Sequence, residues 1–186
     1  WVVESYALFR AAPLLVGGSL GDTFGRRKVY VVGVVAFAAA SAWCGLARNI
    51  DTLIWARSIQ GLGAALLVPG SLALITASFP ESTRGQAIGT WSGFSAITAA
   101  IGPVIGGWLI DHFTWRCVFF LNLPLALMVI LLSAKVPESR NERASHHLDW
   151  VGALLATLGL CGVTYALIEW PARVYHDRNL ITAIAG

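Results

Sequence analysis

The chain has 186 residues, of which 56% are hydrophobic and only 12% are charged. Soluble domains carry about 25% charged residues, so this composition predicts a membrane protein with several transmembrane helices. The net charge of +3 comes from basic residues scattered between apolar segments, and without a basic face it argues against a nucleic-acid-binding protein.

Six apolar segments follow one another along the chain. About 20 apolar residues cross the ~30 Å hydrocarbon core of a bilayer as a helix. We predict transmembrane helices over residues 1–17, 29–47, 52–79, 86–110, 117–134 and 150–169, with a kink in the third at Pro69 and Gly70. Residues 180–186 begin another apolar segment and the first residues are no signal peptide, so we expect a fragment of a longer protein.

The connection between the first two predicted helices, residues 18–28, is a tight hairpin. Gly18 and Gly25 permit positive φ or close backbone approach, and Asp22 can accept hydrogen bonds from backbone or cationic groups. The hairpin ends in three consecutive cations, Arg26, Arg27 and Lys28. Basic residues are more frequent in the loops on this side of the predicted topology, so the positive-inside rule predicts a cytoplasmic hairpin. A merely flexible basic loop would need the cations but neither the glycines nor the aspartate.

Arg57 is a cation inside the third predicted helix. Burying it in lipid costs roughly 2.5–3.5 kcal/mol on insertion scales, so it should face a cavity or a partner. Gln60 and Gly61 follow at i+3 and i+4, which places an amide and a backbone groove on the same face. The alternative is an arginine whose long side chain snorkels to the outer headgroups. The polar companion favours the inward face.

Glu4 and Arg10 are the ionisable residues of the first predicted helix. Six positions separate them by ~240° around the helix axis, so they do not pair within it. Glu4 can snorkel to the outer surface, whereas Arg10 lies nearer the middle of the membrane. A role in a transport path stays open for both.

The fourth predicted helix carries two groups of small residues. Gly85, Gly89 and Gly93 recur at four-residue spacing, which lets another helix approach closely. The second group comprises Gly102, Pro103, Gly106 and Gly107. Proline removes one backbone hydrogen bond and should kink the helix. An ordinary helix-packing face is the alternative, but the Gly-Pro pair favours a hinge or seal.

No pattern in the sequence predicts an enzyme, a metal site or a cofactor. His146 and His147 precede Asp149, but adjacent histidines point apart on a helix and no third ligand follows at a useful spacing, so we interpret them as part of a solvated loop. We interpret three widely separated cysteines as packing residues: Cys44, Cys117 and Cys161. The chain has no nucleophile elbow, phosphate-binding loop or HExxH motif.

Three of these patterns together resemble motifs of the major facilitator superfamily, in the same order. Residues 18–28 resemble its loop signature between the second and third helices, and residues 53–65, with Arg57, Gln60 and Gly61, are similar to its fourth-helix motif. Gly93 with residues 102–107 is similar to the fifth-helix motif of its drug antiporters. Residues 115–124 and the short loop 135–147 resemble the fourteen-helix drug:proton antiporter branch.

The resemblance implies an all-α, polytopic transmembrane helix bundle with a partial major facilitator fold. Residues 1–134 would form most of the N-terminal six-helix bundle without its first helix, residues 135–147 a cytoplasmic loop, and residues 148–186 an additional linker helix and the start of the next. The protein would lie in the inner (plasma) membrane. Its structural partners would be the first helix and the C-terminal bundle of the full-length chain.

The resemblance also implies roles for individual residues. Asp22 and the neighbouring cations would latch a cytoplasmic gate, and Arg57 would support proton coupling with an acidic residue of the first helix. The Gly102-Pro103 segment would confer antiport character. The sequence departs from the family pattern at Thr23, where a basic residue is usual, and at Arg10, where an apolar residue is usual.

We therefore expect a secondary active transporter that exports amphipathic drugs or small metabolites by alternating access, coupled to protons and without a cofactor. Its partners would be the small-molecule substrate, protons and the lipid bilayer. The alternative is a non-transporting membrane scaffold or receptor in which the same glycines serve only helix packing.

Overall fold

A computed structural model describes residues 2–11 and 20–140, together with helical residues 151–152, 154–160, 162–163 and 166. Regular structure in these residues is helical, without strands, which confirms the predicted all-α fold class. The main helices are α1 (Val2–Ala11), α2 (Arg26–Leu46), α3 (Ile50–Ser78), α4 (Glu81–His112), α5 (Trp115–Phe120) and α6 (Asn122–Ser133).

Four of the predicted transmembrane helices are confirmed. Within the described residues, α2, α3, α4 and the combined segment Trp115–Ser133 are long and apolar enough to cross a membrane. The helix predicted over residues 1–17 is described only as far as Ala11. The helix predicted over 150–169 is described in part, at the helical residues given above, whereas His146 and His147 lie outside the described residues.

The fifth span consists of two helices because its hydrogen-bond ladder is interrupted at Leu121. Pro124 lies in the first turn of α6. It lacks the N–H group that would donate to the carbonyl of Phe120 in a continuous helix. By contrast, α3 and α4 remain helical through Pro69 and Pro103.

Helix α3 is the centre of the bundle and packs against both α1 and α2. Helices α2 and α3 approach each other closely because glycines line the contact between them. An ideal Cβ on Gly63 would lie 2.7 Å from the backbone nitrogen of Phe37 in α2, and one on Gly33 would lie 2.8 Å from the Cβ of Leu66. Distances this short exclude a side chain, so the two backbones meet directly, as in other membrane helix pairs.

Unlike α3, helix α4 has no buried residue in the described part of the chain. Every residue from 92 to 105 is exposed, including Phe94, Ile97 and Val104. An apolar surface of this extent is expected on a helix that faces lipid or other helices.

Candidate transport site and gate

Asp22 and Arg26 close the hairpin at the start of α2. The Arg26 guanidinium donates to Asp22 Oδ1 from both Nη2, at 2.8 Å, and Nε, at 3.0 Å. Gly25 separates helical residues 20–24 from α2 and has a φ of 106°, which residues with a side chain rarely adopt. The predicted glycine requirement therefore has a physical basis at Gly25. Gly18 lies outside the described residues.

The first turn of α2 is capped by Glu138, which lies beyond the end of α6. Its carboxylate accepts hydrogen bonds from the backbone N–H of Arg27, at 3.0 Å from Oε1, and of Lys28, at 3.2 Å from Oε2. These are the second and third N–H groups of the helix, which no carbonyl within the helix can satisfy. A carboxylate at this end also complements the helix dipole.

Two further bonds attach the segment after α6 to the hairpin. The backbone N–H of Arg26 donates to the carbonyl of Ser139 at 3.1 Å, and Nη1 of Arg27 donates to the carbonyl of Val136 at 2.9 Å. Two of the predicted gate cations therefore have local structural partners. Lys28, the third, is exposed.

The role of Glu138 was not predicted from the sequence. The predicted topology placed the loop 135–147 on the same side of the membrane as the hairpin, which was the available signal. Topology alone, however, does not say which of the polar residues in the loop reaches the helix end.

Arg57 lies between α1 and the fifth span. Its Nη1 donates to Oε1 of Gln60 at 2.8 Å, so the pair predicted from the i+3 spacing does form. The Arg57 Cζ atom lies 4.0 Å from the centroid of the Tyr6 ring and 5.8 Å from that of Phe119. Stacking on an aromatic face stabilises a cation that has left water. The Arg57 guanidinium is thus surrounded by the amide of Gln60 and the aromatic rings of Tyr6 and Phe119.

Gln60 is 1% exposed and continues the polar cluster into the bundle. Its Nε2 donates to the hydroxyl of Ser41 in α2 at 3.0 Å. Ser41 in turn donates to the carbonyl of Phe119 at 2.9 Å and accepts from Nδ2 of Asn122 at 2.9 Å. A buried polar network is stable when each member is satisfied, and this one links α2, α3, α5 and α6.

Gly61 brings α1 against this cluster. An ideal Cβ on Gly61 would lie 2.7 Å from the carbonyl oxygen of Tyr6 and 3.1 Å from the backbone nitrogen of Arg10. The Arg10 side chain is exposed in the last turn of α1. Glu4 belongs to α1, and its side chain is outside what the structure describes.

The small residues of α4 are not brought together with the other predicted sites. Ideal Cβ atoms on Gly93, Gly102, Gly106 and Gly107 meet no described atom within 4 Å. Gly93 and Gly102 are nine residues, or about two and a half helical turns, apart, so they lie on opposite sides of a regular helix. Pro103 lies inside α4 next to the second of them.

The fold and the site define a polytopic membrane protein with a half-buried arginine bonded to a buried glutamine, and with a basic hairpin. Its sequence matches the model of the Major Facilitator Superfamily over residues 1–170. The chain belongs to this family of transporters, which are not enzymes, and the resemblance seen in the motifs is confirmed.

Relatives with resistance functions match nearly the whole chain. It is 43% identical over 173 residues to the multidrug resistance protein Stp of Mycobacterium tuberculosis, covering 92% of this chain and 32% of that protein. It is 36% identical over 187 residues to the tetracenomycin C resistance and export protein of Streptomyces glaucescens, covering 100% of this chain and 35% of that protein. The chain therefore spans about a third of the length of these relatives.

A solved structure shares the fold. An inward-open conformation of the xylose transporter XylE from E. coli superimposes with a TM-score of 0.56 at 22% sequence identity, over 89% of this chain and 46% of that one.

Proposed function

We propose that the full-length protein containing this chain is a proton-coupled secondary transporter that exports amphipathic drugs or small metabolites by alternating access. Its relatives include proteins named for multidrug resistance and for tetracenomycin C export. The observation that carries the proposal is Arg57, a cation inside a transmembrane helix that is held by Gln60 and stacked on Tyr6.

The chemistry of arginine defines its part in coupling. A guanidinium is not deprotonated in proteins, so Arg57 does not itself carry the proton. A cation nearby does favour the charged form of a carboxylate, and it therefore helps such a group to release its proton. We place that carboxylate in a part of the longer protein that precedes this chain.

The hairpin is the proposed cytoplasmic gate. Asp22, Arg26, Arg27 and Lys28 gather charge at the end of α2, and Glu138 fixes the start of that helix. In this proposal the protein lies in the inner (plasma) membrane with the hairpin on the cytoplasmic side. Residues 1–134 belong to the N-terminal bundle, 135–147 to a cytoplasmic loop, and 148–186 to a linker helix and the start of the next.

The Gly102-Pro103 segment of α4 is the proposed antiport hinge. Its glycines leave room for a second helix at the exposed surface of α4. A non-transporting scaffold or receptor is not favoured, because the relatives named above are resistance and export proteins.

Transport by the full-length protein in proteoliposomes tests the proposal. We expect efflux of a fluorescent cationic dye to accelerate when a pH gradient is imposed, and Arg57→Ala to abolish that acceleration while the protein stays inserted. Arg48→Ala is the matched control, because Arg48 is an exposed arginine in the turn between α2 and α3. Efflux that ignores the pH gradient, or a fully coupled Arg57→Ala variant, would contradict the coupling.

A further inference from the structure

The hydroxyl of Ser41 is a junction between three parts of the bundle. Ser41 is 0% exposed and lies in α2. Its Oγ accepts from Gln60 of α3 at 3.0 Å and from Asn122 of α6 at 2.9 Å, and it donates to the carbonyl of Phe119 in α5 at 2.9 Å. A serine hydroxyl has one proton to donate and two lone pairs to accept with, so all three of its bonds are used.

This arrangement fixes the orientation of the Gln60 amide. Because the amide nitrogen is engaged with Ser41, the amide oxygen points to the other side and accepts from Arg57 Nη1 at 2.8 Å. An amide flipped by 180° would present its NH₂ group to the guanidinium and its oxygen to a hydroxyl whose single proton is already donated to Phe119. Ser41 therefore selects the one orientation in which Gln60 binds the cation.

The same hydroxyl holds the interruption of the fifth span. Phe119 and Asn122 flank Leu121, where α5 ends and α6 begins. Both are bonded to Ser41, and the Phe119 ring lies 5.8 Å from the Arg57 guanidinium. A shift of Arg57 is thus linked through Gln60 and Ser41 to the one place where the fifth span lacks a continuous ladder.

We propose that Ser41 is a positioning residue for transport, which orients Gln60 toward Arg57 and ties that pair to the break at Leu121. The consequence for transport rests on the function proposed above for Arg57. The orientation itself is a property of the bundle and can be measured separately.

A pair of variants of equal shape isolates the hydroxyl. Ser41→Thr keeps it and Ser41→Val replaces it with a methyl group, so any cost of added bulk is common to both. We expect gradient-driven efflux by the full-length protein to be about tenfold lower in the Val variant than in the Thr variant. The Val variant loses the hydrogen bond between Ser41 and Gln60, the partner of the Arg57 cation, and a loss of this size corresponds to about a factor of ten. The loss should appear in the maximal rate rather than in KM, because substrate binding is not removed.

Ser41→Ala and Ser58→Ala extend the comparison without added bulk. Ser58 is a matched control, since it is 6% exposed in α3 and its hydroxyl donates within its own helix, to the carbonyl of Ile54 at 2.9 Å. Ser41→Ala should reproduce the Val variant, and Ser58→Ala should transport as the wild type does. Equal efflux by the two alanine variants, or by the Thr and Val variants, would overturn the proposal.

The reactivity of Cys44 gives a readout that does not depend on transport. Cys44 is 0% exposed, and its Sγ lies 3.8 Å from the Gln60 amide oxygen. The measurement uses full-length protein in which Cys44 is the only cysteine, labelled with N-ethylmaleimide. We expect Cys44 to be labelled about tenfold faster in Ser41→Ala and Ser41→Val than in the wild type. In Ser41→Thr and Ser58→Ala it should stay protected.

The two readouts separate the two proposals. If wild-type efflux ignores the pH gradient, the coupling proposed for Arg57 fails, and the labelling rates still decide whether Ser41 orients Gln60. If Ser41→Val labels as slowly as Ser41→Thr, the positioning role is wrong whatever the transport assay shows.

Discussion

The Glu138 carboxylate lies 2.7 Å from the position that a Cβ atom on Gly25 would occupy. The hairpin proposed as a gate therefore meets the segment after α6 closely at Gly25, where an added side chain would displace the carboxylate. Gly25 also has a φ of 106°. Both the close contact with Glu138 and the backbone conformation therefore favour glycine at this position.

Gly25→Ala should destabilise the hairpin. The backbone conformation alone costs about 1–3 kcal/mol for a residue with a side chain, and the carboxylate must move away from the first turn of α2. Thermal unfolding of the full-length protein in detergent measures the loss. Gly21→Ala is the control in the same hairpin, because its nearest neighbour would be 3.8 Å away, and equal stability of the two variants would contradict the fit described here.

Glu138→Ala should uncap α2. Loss of a side-chain cap costs about 0.5–2 kcal/mol, and the amide protons of Arg27 and Lys28 should then exchange with solvent faster. Hydrogen exchange with mass spectrometry detects this in peptides that contain both residues. Asp51→Ala is the control, since α2 separates it from the hairpin by about 30 Å, and Glu138→Gln should be intermediate because one acceptor oxygen remains.

Gly61→Ala should push α1 away from α3. The new methyl group would lie 2.7 Å from the backbone oxygen of Tyr6, and overpacking of this kind costs about 1–3 kcal/mol. Gly70→Ala is a milder comparison, since its nearest neighbour is the Tyr30 ring at 3.1 Å, which can rotate. Melting temperatures in detergent should therefore fall more for Gly61 than for Gly70, and the reverse order would argue against direct backbone contact between α1 and α3.

Tyr6 should act through its ring rather than its hydroxyl. The ring lies 4.0 Å from Arg57 Cζ, and a desolvated cation–π contact contributes about 2 kcal/mol. Tyr6→Phe keeps a ring and should transport within roughly twofold of the wild type, whereas Tyr6→Leu should lose most gradient-driven efflux. If the Phe variant is as impaired as the Leu variant, the ring is not what stabilises the cation.

Local patterns in the sequence were sufficient to predict four transmembrane helices and one side-chain pair, Arg57 with Gln60. Apolar length placed α2, α3, α4 and the fifth span, and helical spacing placed Gln60 beside Arg57. Both signals repeat over a few residues, so they can be recognised without knowing the fold.

The remaining contacts join residues that are far apart in the chain. Ser41 and Asn122 are 81 positions apart, and Arg27 and Glu138 are 111 apart. Hydrophobic periodicity does not specify which residues on two helices face each other, so neither the Ser41 junction nor the Glu138 cap could be derived from it. Cβ atoms on the α4 glycines would meet no described atom within 4 Å, so the role predicted for these glycines stays a prediction.

The distance in sequence between Glu138 and the helix it caps also sets an order of events during synthesis. The cap is 111 residues downstream of Arg27, and a ribosome adding about 5–20 residues per second needs on the order of ten seconds to reach it. Until then the first turn of α2 has free N–H groups. The hairpin can take its final form only after the fifth span has been translated, so a capped hairpin marks a bundle that is already complete to that point.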